Sequence, residues 1–573
     1  MVYFKRDRFA GIAPGVSSRL LAEQFGQIAE NIDFESGRLA ATHEDVDSFT
    51  LADSLRNSIY YYRDANWLQW AEDDVSVVPG PIPGDTTDRL YWTGEGSSTN
   101  NSDYPRMGVY SSIVSGSGSH PAQSYRLGVP APSAAPSTAI NGDADATLTP
   151  NDVSYVYTLV TAFGEEGPPS APSAVITLDD SQTVTVYMPG SSNPSGNYNF
   201  GDGALKRIYR SNTGSSNTEF QFIEEVVYSS VSYIDDKDAA FLGEVLPSET
   251  WIGPPDESSL YPDGPLQGLI PLAMGTMAGF TGKRFCLSEP FLPHAWPITY
   301  RITTEENIVS IASTANGVAA LTDGQPYFIT GTDPSAMTAV RVDLAQACIN
   351  TRSVVDMGDY VLYAGPEGLC SVQSASGSVV TLGQISAKQW AADFAPTTLR
   401  AFRHEGTYVA FHATGGWVFD PRGGEAALST LTLSAEVRGG YRNPKDGQLY
   451  VIVGNKIKKY QGASSRKTLT FKSKKFVSTS PISMGWVSVD ADAYPVTVKV
   501  WGDGVLVSHY VLSKPGATFT QTTTLPLNIS PGTIYEPIMR MPAKVAQEWE
   551  IQVEGTDINE FCLAQSMDEV RQS

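Results

Sequence analysis

"GVAALTDGQPYFITG", residues 317–331, reads as two short strands around a polar turn. Apolar and aromatic residues flank Asp323 and Gly324, two residue types that turns favour. Taken alone it is a single hairpin. The same shape begins again at Asp359 ("DYVLYAGPEGLCSV"), Thr407 ("TYVAFHATGGWVFD") and Gln448 ("QLYVIVGNKIKKYQG"), at intervals of 42, 48 and 41 residues. A recurrence of roughly 40–50 residues is the period of a four-stranded propeller blade. One blade cannot cover both of its faces, so neighbouring blades have to stack.

Upstream, "IYYYRDANWLQWAED" (59–73), "DRLYWTGEGSSTNNSDYPRMGVYSSI" (88–113) and "KRFCLSEPFLPHAWPITY" (from Lys283) have the same character. The starts at Asp88 and Lys283 lie 195 residues apart, and one blade accounts for only about 45 of these. The surplus opens on a Pro-, Ala- and Ser-rich connector, "LGVPAPSAAPSTAINGD" (127–143), of the kind that marks a domain boundary. "SYVYTLVTAFGEEGPPSAPSAVIT", "QTVTVYMP", "LKRIYRS", "EFQFIEEVV" and "VSYIDD" follow as short strands at sandwich spacing. This stretch resembles a fibronectin type III domain and reads as an insertion in the propeller.

From Ser464 onward the pattern changes to that of a separate sandwich, with "VKVWGDGVLVSHYVL" as a hairpin around a Gly-Asp-Gly turn and a charged tail of one or two turns at the end. Near the other end, "GIAPGVSSRLLAEQFGQIAENIDFESGRL" (11–39) is the best helical candidate. Leu20, Leu21, Phe25 and Ile28 recur near helical spacing, and Ser17 and Ser18 are available as caps. The expected fold is all-β: a β-propeller with an inserted fibronectin III-like β-sandwich and a C-terminal β-sandwich. The expected boundaries are 1–126 for the N-terminal segment and first blades, 127–250 for the insert, 251–463 for the remaining blades and 464–573 for the C-terminal sandwich.

Composition agrees with the strand reading. The 573 residues include 51 Gly, 37 Pro, 22 Phe, 27 Tyr and 10 Trp; aromatic side chains suit a pleated surface, and Gly and Pro supply turns. Net charge is −23, with acidic residues spread along the chain rather than gathered into a tail, which argues against a surface that wraps nucleic acid by neutralising phosphates. Cys286, Cys348, Cys370 and Cys562 show no paired spacing, so buried, reduced thiols are expected. The start of the chain lacks an apolar signal core, and no run of eighteen apolar residues occurs. The expectation is a protein that is neither secreted by the usual signal nor membrane-spanning.

Catalytic constellations are missing. None of His43, His120, His294, His404, His412 and His509 belongs to an HExxH motif or accompanies a G-x-S-x-G elbow, and the S-x-D-x-G-x-T-W boxes of sialidase propellers do not occur. No catalytic residue and no metal ligand is assigned. "NGDADATLTPND" (141–152) alternates acids but lacks the glycine and terminal glutamate of a calcium loop, and reads as a solvated linker. The one charge feature that demands partners is "KIKKYQGASSRKTLTFKSKKF" (456–476). It holds Lys456, Lys458, Lys459, Arg466, Lys467, Lys472, Lys474 and Lys475 with no acid. Either DNA phosphates or an acidic surface on a neighbouring subunit would match this strip, and strand alternation would put Lys472 and Lys474 on one face.

"FAGIAPGVSSRLLAEQFGQIAENIDFESGRL" (9–39), "LGEVLPSETWIGPPDESSLYPDG" (242–264), "MAGFTGKRFCLSEPFLPHAWP" (277–297) and "GQPYFITGTDPSAM" (324–337) resemble phrases of the tail nozzle proteins of short-tailed phages, also called tail tubular protein B. The resemblance runs in order over residues 1 to about 465. It implies a structural virion protein of the phage tail, assembled in the host cytoplasm. The implied assembly is a homo-hexamer below a tail adaptor ring, with tail fibres or spikes as further partners and double-stranded DNA passing transiently through an axial channel. No cofactor, no small-molecule substrate and no enzymatic activity follow from it. An acidic channel wall would let DNA slide rather than bind. A receptor-binding or glycan-cleaving tail protein built on a β-propeller is the alternative class.

Overall fold

The computed structural model describes residues 3–96, 103–190, 196–213, 218–256, 261–422, 427–513, 518–521, 532–533 and 538–572. The chain divides into two compact units, Tyr62–Arg341 and the remainder, Met1–Tyr61 with Val342–Ser573.

In the Tyr62–Arg341 unit, three four-stranded antiparallel sheets follow the chain as simple meanders. They comprise Ser76–Pro79 to Tyr125–Arg126, Gln267–Pro271 to Ile302–Thr303, and Ile308–Thr314 to Thr338–Arg341. The hairpin of Gly317–Thr322 and Tyr327–Thr330 forms the two middle strands of the third. Its loop spans four residues, and the Asp323 carboxylate accepts from the Asn307 backbone N–H (3.0 Å) and side-chain amide (2.8 Å). Asp323 therefore ties down the start of the blade as well as turning the chain. Tyr327 and Phe328 are buried, and the Tyr327 hydroxyl donates to Glu306 at 2.9 Å.

The insert is a fibronectin III-like sandwich. Ser137–Asn141, Thr183–Tyr187 and Ser232–Asp235 make one three-stranded sheet; Tyr155–Val160, Leu205–Thr213 and Thr218–Val227 make the other. Val184, Val186, Tyr155, Tyr157, Leu159, Ile208 and Ile223 fill the space between them. Glu166, in the loop after Tyr155–Val160, is 3% exposed and accepts from Thr158, Tyr209 and Arg207, as a buried carboxylate must.

Lys206 is also buried. Its ammonium donates to the carbonyls of Pro189 (2.7 Å) and Ser230 (2.8 Å) and faces the Tyr228 ring, but no carboxylate among the described residues pairs with it, and burial pulls its pKa from 10.5 down to about 8. The unfolded chain therefore binds a proton between these pH values that the folded chain has lost, so this group makes the insert more stable as pH rises from about 8 towards 10.5. Burial pushes Tyr157 up to about 12; here the folded chain keeps the proton longer, and stability falls above pH 10. The raised Cys286, Cys348 and Cys370 thiols lower stability above pH 9 in the unmodified chain and in Lys206→Met alike, so the rising limb, on the order of 2 kcal/mol, should appear in the difference between their melting profiles across this range. Profiles that run parallel would deny Lys206 this contribution.

In the other unit, Val355–Asp356 to Ser376–Val379 and Arg400–His404 to Ala427–Leu431 are further four-strand meanders. The next blade takes Val437–Arg442, Leu449–Val453 and Lys456–Lys459 from its own stretch and its fourth strand, Val46–Thr50, from near the start of the chain. The recurring sheets in both units make this a β-propeller fold.

The C-terminal sandwich borrows in the same way. One sheet centres on Asp557–Ala564, paired with Trp486–Ala491 on one side and with Tyr3–Arg6 and Leu39–Ala41 on the other. The second contains Leu469–Ser473, Val545–Gly555, Val496–Gly502 and Val505–Leu512. Val496, Val498 and Val500 alternate inward with period two against Trp549, Ile551 and Val553, all fully buried. Asp503 and Gly504, both at positive φ, form the expected tight turn. The tail forms a short helix, Met567–Gln572. All four cysteines are buried free thiols.

The helical expectation for residues 11–39 is overturned. Gly26–Glu30 is a strand inserted between Ala427–Leu431 and Leu469–Ser473, and the preceding residues form turns. Leu21 and Phe25 are buried, but Leu20 and Ile28 are exposed, so the apolar spacing does not mark one face. Gly11 (φ +89°) lies against the Leu428 backbone, and a Cβ at Gly26 would meet the Lys472 carbonyl at 2.6 Å. Tertiary backbone pairing overrides the local pattern where glycine permits so close an approach.

Candidate functional site

The basic stretch was the only site assigned from sequence, and the structure gives most of its cations partners within the chain. Lys456 and Lys458 lie on the strand paired with Val46–Thr50, and both reach the Asp47 carboxylate, at 3.5 and 3.3 Å. Their proximity, the Lys458 hydrogen bond foremost, holds Asp47 below its ordinary pKa. Arg466 approaches Asp557 at 3.6 Å and the Thr556 carbonyl at 3.4 Å. Lys467 is buried, with its ammonium 3.4 Å from the Thr432 carbonyl.

Lys472 bonds Glu550 at 2.5 Å and covers the Trp501 ring at 4.6 Å. The strand ends at Ser473, so alternation does not extend to Lys474, which donates instead to the Leu21 carbonyl at 2.6 Å. Lys475 lies between Glu548 (3.4 Å) and Glu550 (3.3 Å), and these contacts raise its pKa, the Glu550 hydrogen bond most. Lys459 is exposed and has no carboxylate partner among the described residues.

The acids that answer this strip went unassigned in the sequence reading. Glu548 and Glu550 sit two residues apart on Val545–Gly555, hence on one face. Glu550 is 4% exposed, and Glu548 also pairs with Arg19. Further along the strand, Glu554 takes Lys499 at 2.5 Å. The signal was present in "QEWEIQVEG" (547–555), where acids alternate with Trp549, Ile551 and Val553.

The charge is divided unevenly. Tyr62–Arg341 carries 12 Lys and Arg against 32 Asp and Glu, a net −20; the rest of the chain carries 27 against 30, a net −3. The basic stretch belongs to the nearly neutral unit, where its cations balance acids of the same unit. Among the described residues there is no cluster of three or more His, Cys, Asp or Glu placed to hold a metal ion. The "NGDADATLTPND" loop is exposed, and the Asp145 carboxylate accepts from the Thr147 N–H and hydroxyl of its own turn.

An exposed ion pair contributes little to folding, so Asp47→Asn frees two lysines without unfolding the chain. The unmodified protein should leave a DNA duplex unshifted in a native gel. Asp47→Asn should retard it at low salt, with a log–log salt slope of magnitude up to about 1.8 for two phosphate contacts. Equal retardation by both proteins would show that Asp47 does not mask this strip.

No family model and no curated protein matches the chain. Among solved structures it is similar to YCF48 from Cyanidioschyzon merolae, at 12% identity over 49% of this chain and 80% of that one, with a TM-score of 0.21. PorZ, a surface component of the type-IX secretion system of Porphyromonas gingivalis, aligns at 10% identity over 59% of this chain and 43% of its own, with a TM-score of 0.24. Hsv2 of a Kluyveromyces marxianus yeast aligns at 8% over 52% and 90%, with a TM-score of 0.23. Likenesses this distant carry no functional argument, and the fold assignment rests on the strand order described above.

Proposed function

We propose that this chain is a structural subunit of the tail nozzle of a short-tailed phage. In this reading six copies form a ring below an adaptor ring and surround an acidic channel through which double-stranded DNA leaves. The observation that carries the proposal is the combination of an acidic unit of net −20 with a basic stretch balanced by Asp47, Glu548, Glu550 and Asp557. Such a protein offers phosphates few free cations, and its field repels them. Passing DNA then meets a wall that does not hold it. The remaining parts of the reading are a scaffold without cofactor or small-molecule substrate, located in the virion tail, assembled in the host cytoplasm, and in contact with tail fibres or spikes.

The test is electron microscopy of purified tails labelled with antibody against this chain. A labelled sixfold ring is expected. Label confined to a threefold fibre or spike would overturn the proposal.

A further inference from the structure

The insert, residues 127–250, carries 4 Lys and Arg against 16 Asp and Glu, yet the outward strand residues of one of its faces are uncharged, with the exposed Asp236 following at the corner beside Thr183. The register of the Ser137–Asn141, Thr183–Tyr187 and Ser232–Asp235 strands arranges the outward side chains in three cross-strand rows. Ser137, Tyr187 and Ser232 form the first, Ala139, Thr185 and Ile234 the second, and Asn141 with Thr183 the third. The intervening residues Val184 and Val186 face the core. Tyr187 is 48% and Ile234 58% exposed, so the face is open to solvent. Val231, beside Ser232, extends its apolar part at 57% exposure. The Asn141 amide donates to Thr185 at 2.9 Å and to Thr183 at 3.4 Å, fixing that corner. By contrast, the opposite sheet carries the Arg207 pairs with Glu166 and Glu225.

A cationic or anionic partner would find no counter-charge among these strand residues, and the acids of the same domain, Asp236 among them, lie at the border of the face. The face instead offers hydroxyls and an amide, which both donate and accept, around an exposed aromatic ring and a branched aliphatic side chain. Same-face positions repeat about every 6.6 Å along each strand and about every 4.8 Å between strands, giving a flat grid rather than a pocket. A sugar ring has matching chemistry, with an apolar C–H face bordered by hydroxyls and no charge. We infer that this sheet face binds a neutral polysaccharide chain, with Tyr187 and Ile234 stacking on sugar rings and Thr183, Thr185, Asn141, Ser137 and Ser232 supplying hydrogen bonds. A second copy of this chain is the competing occupant.

Affinity electrophoresis of the full chain in native gels containing dextran, soluble starch or galactomannan tests the inference, with hyaluronate as an anionic control. At least twofold lower mobility is expected in one or more of the neutral gels, unrelieved by about 0.5 M salt, at which exposed charges are screened. Tyr187→Ala and Thr185→Glu should abolish the retardation, Tyr187→Ala while leaving the urea midpoint unchanged, since Tyr187 lies open to solvent. Unretarded migration in all three neutral gels would overturn the inference, as would retardation that survives Thr185→Glu or occurs only with hyaluronate. Sedimentation that shows a wild-type dimer dispersed by Thr185→Glu, without retardation in any gel, would assign the face to self-association and overturn it equally.

Discussion

Deleting residues 1–33 should unfold the C-terminal sandwich rather than trim it. Gly26–Glu30 joins Ala427–Leu431 to Leu469–Ser473 in their sheet, and Tyr3–Arg6 covers one side of Asp557–Ala564. Removing both leaves rows of backbone groups without partners. It also takes Phe9, Ile12, Ala29 and Ile32 out of the main core of this unit. The three larger side chains each contribute about 1.5–3 kcal/mol of burial. Their combined loss is comparable with the whole stability of a domain, about 5–15 kcal/mol. Limited proteolysis should then cut early within 464–573, and near-ultraviolet dichroism from the buried Trp549 should be lost. Gly11→Val is the single-residue counterpart: at φ +89° against the Leu428 carbonyl it combines backbone strain with a clash. A truncated chain that melts within about 2 °C of the intact one, a shift worth only about 1 kcal/mol for a unit of this size, would refute the assignment of these strands as structural partners.

The second large effect belongs to Glu550. This carboxylate is 4% exposed and receives Lys472 and Lys475, so Glu550→Ala leaves cations with no buried counter-charge and should cost about 3–5 kcal/mol. Pairing it with Lys472→Met should recover much of the loss, because an apolar chain of similar length also packs against Trp501. A double-mutant cycle on denaturant midpoints reads the coupling directly. If the two changes simply add, Lys472 and Glu550 are not the energetic pair that their 2.5 Å contact indicates.

Blades are legible in the sequence because each one is local. Its strands are joined by short turns, so the spacing of "GVAALTDGQPYFITG" and its counterparts carries through to the middle hairpins of successive sheets. The insert is legible for the same reason. What remained hidden depends on contacts between residues far apart in the chain. Residues 11–39 have an apolar rhythm, but their conformation is decided by Leu428, Phe471 and Lys472. The basic stretch raised the right question about partners, and its answers came from Asp47 and Glu550, which no local pattern connects to it. The acids of "QEWEIQVEG" could have been recognised as a same-face set from alternation alone.

The pairing of Arg6 with Phe561 also has a consequence in time. At about 5–20 residues per second, the first strand leaves the ribosome roughly half a minute to two minutes before the strand it pairs with exists. During synthesis the early segment exposes its edge and its apolar residues, including Phe9 and Ile12, with no correct partner to receive them. Productive folding of this sandwich thus waits until residues 557–564 have been synthesised.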